Sequence, residues 1–289
     1  MFSCGGLIAK ASSLGCPVEV ITFYTKQENF DILPPQQQKI APKFAVYEQR
    51  KKEDYAALSF LGATPIWIDY TERFFRPPWL KSVLYSFRTP LEASLDGFAN
   101  VFSIKQYLNE LCEKWPEAYF FAPLGIGNHY DHVELFLASI LAAEEKKALD
   151  RFVFYEDAYS LGTQMRKRHF AANRVCWRWW QAPATSSIKW FLRSNLIALK
   201  ARGRAAVEYL PEHYASLEWS VKTESIIGFE EKKLEAVSMY KTQARALGGM
   251  SMLAKIIRCY HGFWGNAEPY WVALLDRSAD WNESNGVTQ

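Results

Sequence analysis

The sequence predicts an α/β fold, a mostly parallel sheet flanked by helices. Short apolar runs of strand length alternate with amphipathic stretches of helical length, and glycines mark several of the changeovers. The connections between the runs are long enough to bring each strand back in the same direction by a right-handed crossover.

Leu7 to Gly15 reads as a helix closed by Gly15, and Pro17 to Tyr24 as a buried strand. A helix at the very start of an α/β domain, with no room for a cap, looks like a βαβ unit whose first strand is missing. Ala41 to Leu61 reads as a helix stopped by Gly62, and Thr64 to Asp69 as a short strand. Phe74 to Asn100 is irregular and rich in proline and aromatic residues, a candidate lid or insertion. Ser103 to Trp115 is expected to be a helix and Ala118 to Ala122 a strand. The loop Pro123 to Asn128 leads into His129, and a helix is expected from Val133 to Leu149. Phe152 to Tyr155 reads as a strand ending in Glu156 and Asp157.

After about residue 170 the alternation fades. Arg174 to Gln181 is rich in tryptophan and is expected to be a strand. Ser187 to Arg202 and Ile226 to Leu247 read as helices, and Pro269 to Leu275 as a late strand. The organisation predicted is one domain over residues 1–275, with a core at 1–160 and a C-terminal extension at 161–275. The polar tail at 276–289 is expected to be disordered.

The chain has 289 residues, about half of them apolar and 22% charged, ordinary for a soluble globular enzyme. A net charge of +3 is too small to argue for nucleic acid. Eleven tryptophans and 15 tyrosines build core more often than they line a groove. Cys4, Cys16, Cys112, Cys176 and Cys259 are scattered and form no C-x-x-C pair. That argues against a disulfide framework and makes a reducing cytoplasm the expected location. No apolar run reaches transmembrane length, and the first residues lack the pattern of a signal peptide.

Chemistry concentrates at His129-Tyr130-Asp131-His132. The segment follows a strand and a glycine loop and precedes a helix. In an open parallel sheet ligands gather there, beyond the carboxyl ends of the strands. Histidine is the commonest metal ligand and acid–base group near neutral pH. At a helix N-terminus the dipole disfavours imidazolium, and backbone N–H groups suit an anionic intermediate. The same pair would also serve simply to cap and pack a helix start, but the glycine loop ahead of it favours function. One H-x-x-H segment is not by itself a zinc site, which takes three protein ligands and an open position. None of His169, His213 and His261 lies near a carboxylate pattern that would obviously complete it.

Four segments, in order, resemble the PIG-L/LmbE-like family of zinc-dependent N-deacetylases. They are Phe2-Ser3-Cys4-Gly5-Gly6 with the following helix and strand; Arg50-x-x-Glu53-x-x-x-Ala57-x-x-x-Leu61-Gly62; Pro123 to His132; and Lys233-x-x-Ala236 with Tyr240-x-x-Gln243 and Glu268-Pro269-Tyr270-Trp271. The resemblance runs over roughly residues 2–274. It implies a Rossmann-like fold, a zinc cofactor and removal of an acetyl or other acyl group from an amino-sugar nitrogen. It implies that His132 ligates zinc, that His129 stabilises the oxyanion or acts as general acid, and that Asp131 orients a histidine. Arg50 is expected to reach the substrate or to pair with Glu53 or another acid. Asn128 and Asp157 are placed on the substrate side; Asp157 reads equally as an acid behind a ligand or a turn acid. The partner implied is a small N-acetylated amino sugar or conjugate, and the state of oligomerisation stays open.

One motif of that family, His-x-Asp-Asp, is absent. It would stand just ahead of Phe2 and supply two zinc ligands and the base. The remaining zinc ligands are therefore expected upstream of Met1, through a misassigned start or a true truncation, and little hydrolysis is expected of the chain as it stands. The alternative is a non-catalytic sugar-binding module with a degenerate metal site. A nucleotide-sugar transferase ranks last, because Pro123 to Asn128 lacks the G-x-G-x-x-G spacing.

Overall fold

The computed structural model describes residues 2–43, 46–80, 86–157, 166, 169–171, 188–200 and 203–275. Helix α1 (Gly5–Ser13) leads through Gly15, at φ 80°, into strand β1 (Glu19–Thr22). A one-turn helix α2 (Pro35–Gln38) and a longer helix α3 (Tyr47–Leu61) precede strand β2 (Thr64–Trp67). β1 and β2 pair in parallel, Glu19 opposite Thr64 and Thr22 opposite Trp67. The helix expected from Ala41 starts later, at Tyr47, and Ala41–Lys43 is a single 3₁₀ turn. The Gln27 side chain accepts from Tyr47 N at 2.8 Å, an end cap supplied from twenty residues upstream. α3 stops at Gly62, whose φ of 81° is a left-handed cap. A Cβ there would stand 2.1 Å from Ser12 Oγ, so glycine also lets α1 and α3 meet.

The described residues at 74–80 and 86–100 are irregular, with short 3₁₀ turns at Arg73–Phe75 and Leu95–Gly97. Helix α4 (Val101–Lys114), strand β3 (Phe120–Pro123), helix α5 (Tyr130–Glu145) and strand β4 (Phe152–Tyr155) complete the core alternation. β3 and β4 are parallel, Phe120 opposite Phe152. α5 starts three residues earlier than the Val133 expected, which puts His132 in its first turn.

The extension contains helix α6 (Ile188–Lys200), strand β5 (Leu217–Ser225), helices α7 (Glu230–Met239), α8 (Lys241–Ala246) and α9 (Met250–Phe263), and strand β6 (Ala267–Leu275). The single helix expected from Ile226 to Leu247 is two helices broken at Tyr240. Acids of α3 hold the break: Tyr240 donates to Asp54 at 2.6 Å, and Thr242 donates to Glu53 through its hydroxyl and its N–H. β5 and α9 were not expected. The tryptophan-rich strand expected at Arg174 to Gln181 and the tail at 276–289 lie outside the described residues.

β6 runs antiparallel to both β4 and β5, giving a sheet ordered β3-β4-β6-β5 beside the β1-β2 pair. The parallel pairs thus belong to the core and the antiparallel ones to the extension. Among the described residues, β1 on the side away from β2 and β3 on the side away from β4 have no ladder partner.

Two apolar clusters hold the layers. Val101, Ile104 and Leu108 of α4 meet Val133, Phe136, Leu137 and Ile140 of α5 over Phe152, Phe154 and Trp271. Ala9, Ala57, Leu61, Ala236 and Tyr240 join α1, α3 and α7, and the three alanines let the helices approach closely.

Candidate active site

The carboxyl ends of β3 and β4 place the two halves of the site side by side. β3 ends in the loop Leu124 to Asn128, where Gly125 (φ 75°), Gly127 (φ 94°) and Asn128 (φ 58°) all take the left-handed region. Asn128 pays about 1–3 kcal/mol of backbone strain for this, the kind of cost found where a loop is shaped for function. Its amide donates to the carbonyl of Arg204 at 3.0 Å, which holds the strained turn.

β4 ends in Glu156 and Asp157, both fully buried. Asp157 accepts from Ile126 N at 3.0 Å through one oxygen and is bonded to His132 Nδ1 through the other. One carboxylate therefore fixes the glycine loop and the histidine together. Burial opposes the charged imidazole of His132, yet Asp157 outweighs it and holds the His132 pKa above its ordinary value. In the neutral ring, Nδ1–H bound to the acid leaves the lone pair on Nε2, the form that ligates a metal.

His129 caps α5, its ring 4.9 Å from that of His132 and edge-on to Phe87 at 5.2 Å. Burial, then His132, Arg76 and Arg50, push its pKa well below the ordinary value, so it is a neutral imidazole. Asp131 Oδ2 lies 4.0 Å from His129 Nδ1, beyond hydrogen-bond distance, and that nitrogen has no hydrogen-bond partner among the described residues. Asp131 is taken up instead by Arg76, at 2.5 Å, and by the backbone N–H of Arg73. Burial pushes the Asp131 pKa up to about 7, with Glu72 and Glu134 adding to it against the pull of Arg76.

Arg50 reaches toward the same histidine from α3. It lies 3.4 Å from Glu72 and 4.7 Å over the ring of Tyr47, and Glu53 is occupied with Thr242. Oriented to accept, the Gln243 amide oxygen lies 2.7 and 3.2 Å from the guanidinium. His129, Asp131, His132, Asn128 and Asp157 therefore form one constellation, with Arg50 at its edge. Glu72 and Arg76 join it without having been singled out in the sequence. Arg76 lies in the irregular stretch from Phe74 to Asn100, expected from the sequence as a candidate lid or insertion. Its Phe74 and Phe75 are buried core, and its arginine carries the contact with the site.

Two donor sets bear on a metal. Ligand atoms of Glu72, His129 and Asp131 lie within 4.8 Å of one another, but both carboxylates are already engaged by arginines. His132 with Asp157 behind it fits one ligand of a zinc site. The described residues gather no complete three-ligand set around it.

The sequence matches no family model and no curated protein. Solved structures do match. The A40926 pseudoaglycone deacetylase Dbv21 aligns with 94% of this chain and 91% of its own at TM-score 0.61 and 17% identity. A deacetylase of the teicoplanin biosynthesis pathway, solved as a bog complex, aligns with 96% of this chain and 94% of its own at TM-score 0.65 and 18% identity. The zinc-inhibited form of teicoplanin deacetylase Orf2 covers the same shares at TM-score 0.63 and 18% identity. At such identities the likeness is one of architecture, and the chain has the α/β fold of these deacetylases.

Proposed function

We propose that the protein is a zinc-dependent amide hydrolase of the PIG-L/LmbE type, removing an N-acetyl or other acyl group from an amino sugar or its conjugate. The observation that carries this is the Asp157–His132 pair on a strained glycine loop, beside a neutral His129. His132 would be one zinc ligand, and zinc supplies a polarised carbonyl and an activated water when bound. His129, neutral and buried, keeps an N–H to donate to the oxyanion of a tetrahedral intermediate, where one donor is worth about 3–4 kcal/mol. Asp157 positions His132, and Arg76 with Arg73 fixes Asp131. Arg50 and Asn128 face the substrate side.

Among the described residues His132 has Asp157 behind it and no further zinc ligand gathered beside it. The competing reading is a sugar-binding module without a working metal. It is favoured by the incomplete ligand set around His132 among the described residues.

The test supplies one equivalent of zinc to the protein, counts the metal bound by mass spectrometry and follows amine release from N-acetylglucosamine conjugates. One bound zinc with amine release, both lost in His132→Ala, would support the hydrolase. Sugar binding with neither zinc nor amine release would overturn it and establish the binding module.

A further inference from the structure

Charge is distributed unevenly along this chain. Between Asp157 and Glu208 lie ten of its 34 lysines and arginines and none of its 31 aspartates and glutamates, so the remainder of the molecule is net acidic. The same stretch carries Trp177, Trp179, Trp180 and Trp190. The proposed hydrolysis gives this segment no task.

Helix α6 lies within it and turns an apolar face to water. Ile188 is 80% exposed, Leu192 63%, Leu196 46% and Leu199 79%, and Phe191 is exposed beside them. At about 100° per residue these five positions fall in a sector of about 140°. Ile197, on the opposite side of the helix, is buried at 5%, so the apolar ridge faces away from the body of the protein. Positions 189, 193 and 200, all Lys or Arg, fall together along one margin of that ridge. Four large aliphatic side chains lined up in solvent with a phenylalanine beside them mark an interaction surface rather than chance exposure.

We propose that α6 is an interfacial anchor that lays this ridge into the surface of an anionic lipid bilayer. The apolar side chains enter the boundary between headgroups and acyl chains, while the basic margin and its flanking arginines meet the lipid phosphates. Thirteen helical residues span about 20 Å, short of the roughly 30 Å hydrocarbon core, so the helix lies in the plane of the surface. No helix among the described residues is long and apolar enough to cross a membrane. A ridge of aliphatic side chains has nothing to offer a nucleic acid, whose single strands are held by stacking and whose duplexes are held by phosphate contacts. A protein groove would take the ridge but would not call for fifty residues purged of acids. An anionic leaflet uses both features at once.

The test is co-sedimentation of the full chain with vesicles of phosphatidylglycerol and phosphatidylcholine at 3:7, against pure phosphatidylcholine. We expect at least tenfold stronger partitioning onto the anionic vesicles, weakening severalfold between 0.1 and 0.5 M NaCl. The double variant Leu192→Glu/Leu196→Glu and the charge variant Lys189→Glu/Lys200→Glu should each lose tenfold or more. Leu91→Glu, an equally exposed residue elsewhere, should bind as the parent does. Melting curves check that each variant folds. Because the two variants act by independent chemistry, failure of one to fold leaves the other as the test. Equal partitioning onto the two vesicle types would overturn the proposal. So would vesicle binding unchanged in a folded variant, or a ridge variant that loses only self-association or duplex-DNA binding.

Discussion

At the scale of single residues, Asp157 and His169 do the most with the least. Asp157 serves Ile126 N and His132 together, so Asp157→Asn removes a buried charge from two partners. We expect about 2–3 kcal/mol lost from stability, read by denaturant unfolding, and a roughly 10–100-fold weaker zinc affinity, read by chelator competition. His169 is buried, donates Nε2–H to the Leu124 carbonyl at 3.1 Å and accepts from Ala171 N at Nδ1. Only the neutral ring satisfies both bonds, and burial pushes its pKa down to about 3. The unfolded chain, with a histidine near 6.5, then binds the proton first. His169 thus contributes stability in full above pH 6.5 and loses it as pH falls toward 3. His169→Gln should flatten the pH dependence of the melting temperature in that window; an unchanged slope would show that His169 does not set it. His129 to His132 could be read as a chemical site from sequence because strand, glycine loop and helix start are local. Arg76 and Glu72 could not be, since 53 and 57 residues separate them from His129, and no spacing rule spans that distance.

At the scale of elements, a buried triad staples four of them. Glu268 of β6 accepts from Gly6 N and Leu7 N at the start of α1, while Lys233 of α7 donates to Glu268 at 2.6 Å and to the Ser3 carbonyl. Lys233 and Glu268 are fully buried, and His261 of α9 adjoins both. Against the cost of burial, Lys233, His261 and the N–H of Leu7 hold the Glu268 pKa down to about 2. That stability is present above the ordinary carboxylate range near 4.5 and lost as pH falls toward 2. Glu268→Gln or Lys233→Met alone is expected to cost about 3–5 kcal/mol, because each strands the other charge. The double variant should cost less than the sum, and a double-mutant cycle in urea gives the coupling. Strict additivity would mean the pair acts as two separate contacts. Two missed elements did carry signals. Leu217, Trp219 and Val221 alternate with Glu218, Ser220 and Lys222 at the strand period in β5, and Met252, Leu253, Ile256, Ile257 and Tyr260 repeat at the helical period in α9. The break at Tyr240 carried none, because its cause lies on α3, about 186 residues away in sequence.

At the scale of the whole molecule, the parallel core was legible because it rests on local alternation. The antiparallel addition was not, because β6 finds β4 only through a late return of the chain. The β1-β2 pair and the four-stranded sheet each present an edge without a ladder partner among the described residues. Such edges weaken a sheet and invite association.

The bond from Asn128 to the Arg204 carbonyl has a further consequence. Arg204 stands four residues beyond the end of α6, a tether of about 14 Å at full stretch. A protein resting on a surface by α6 thus ties its glycine loop to the element that meets that surface. Molecules confined to the same surface would come to the loop by a two-dimensional search, and catalysis would scale with their density in the film rather than with their concentration in bulk water.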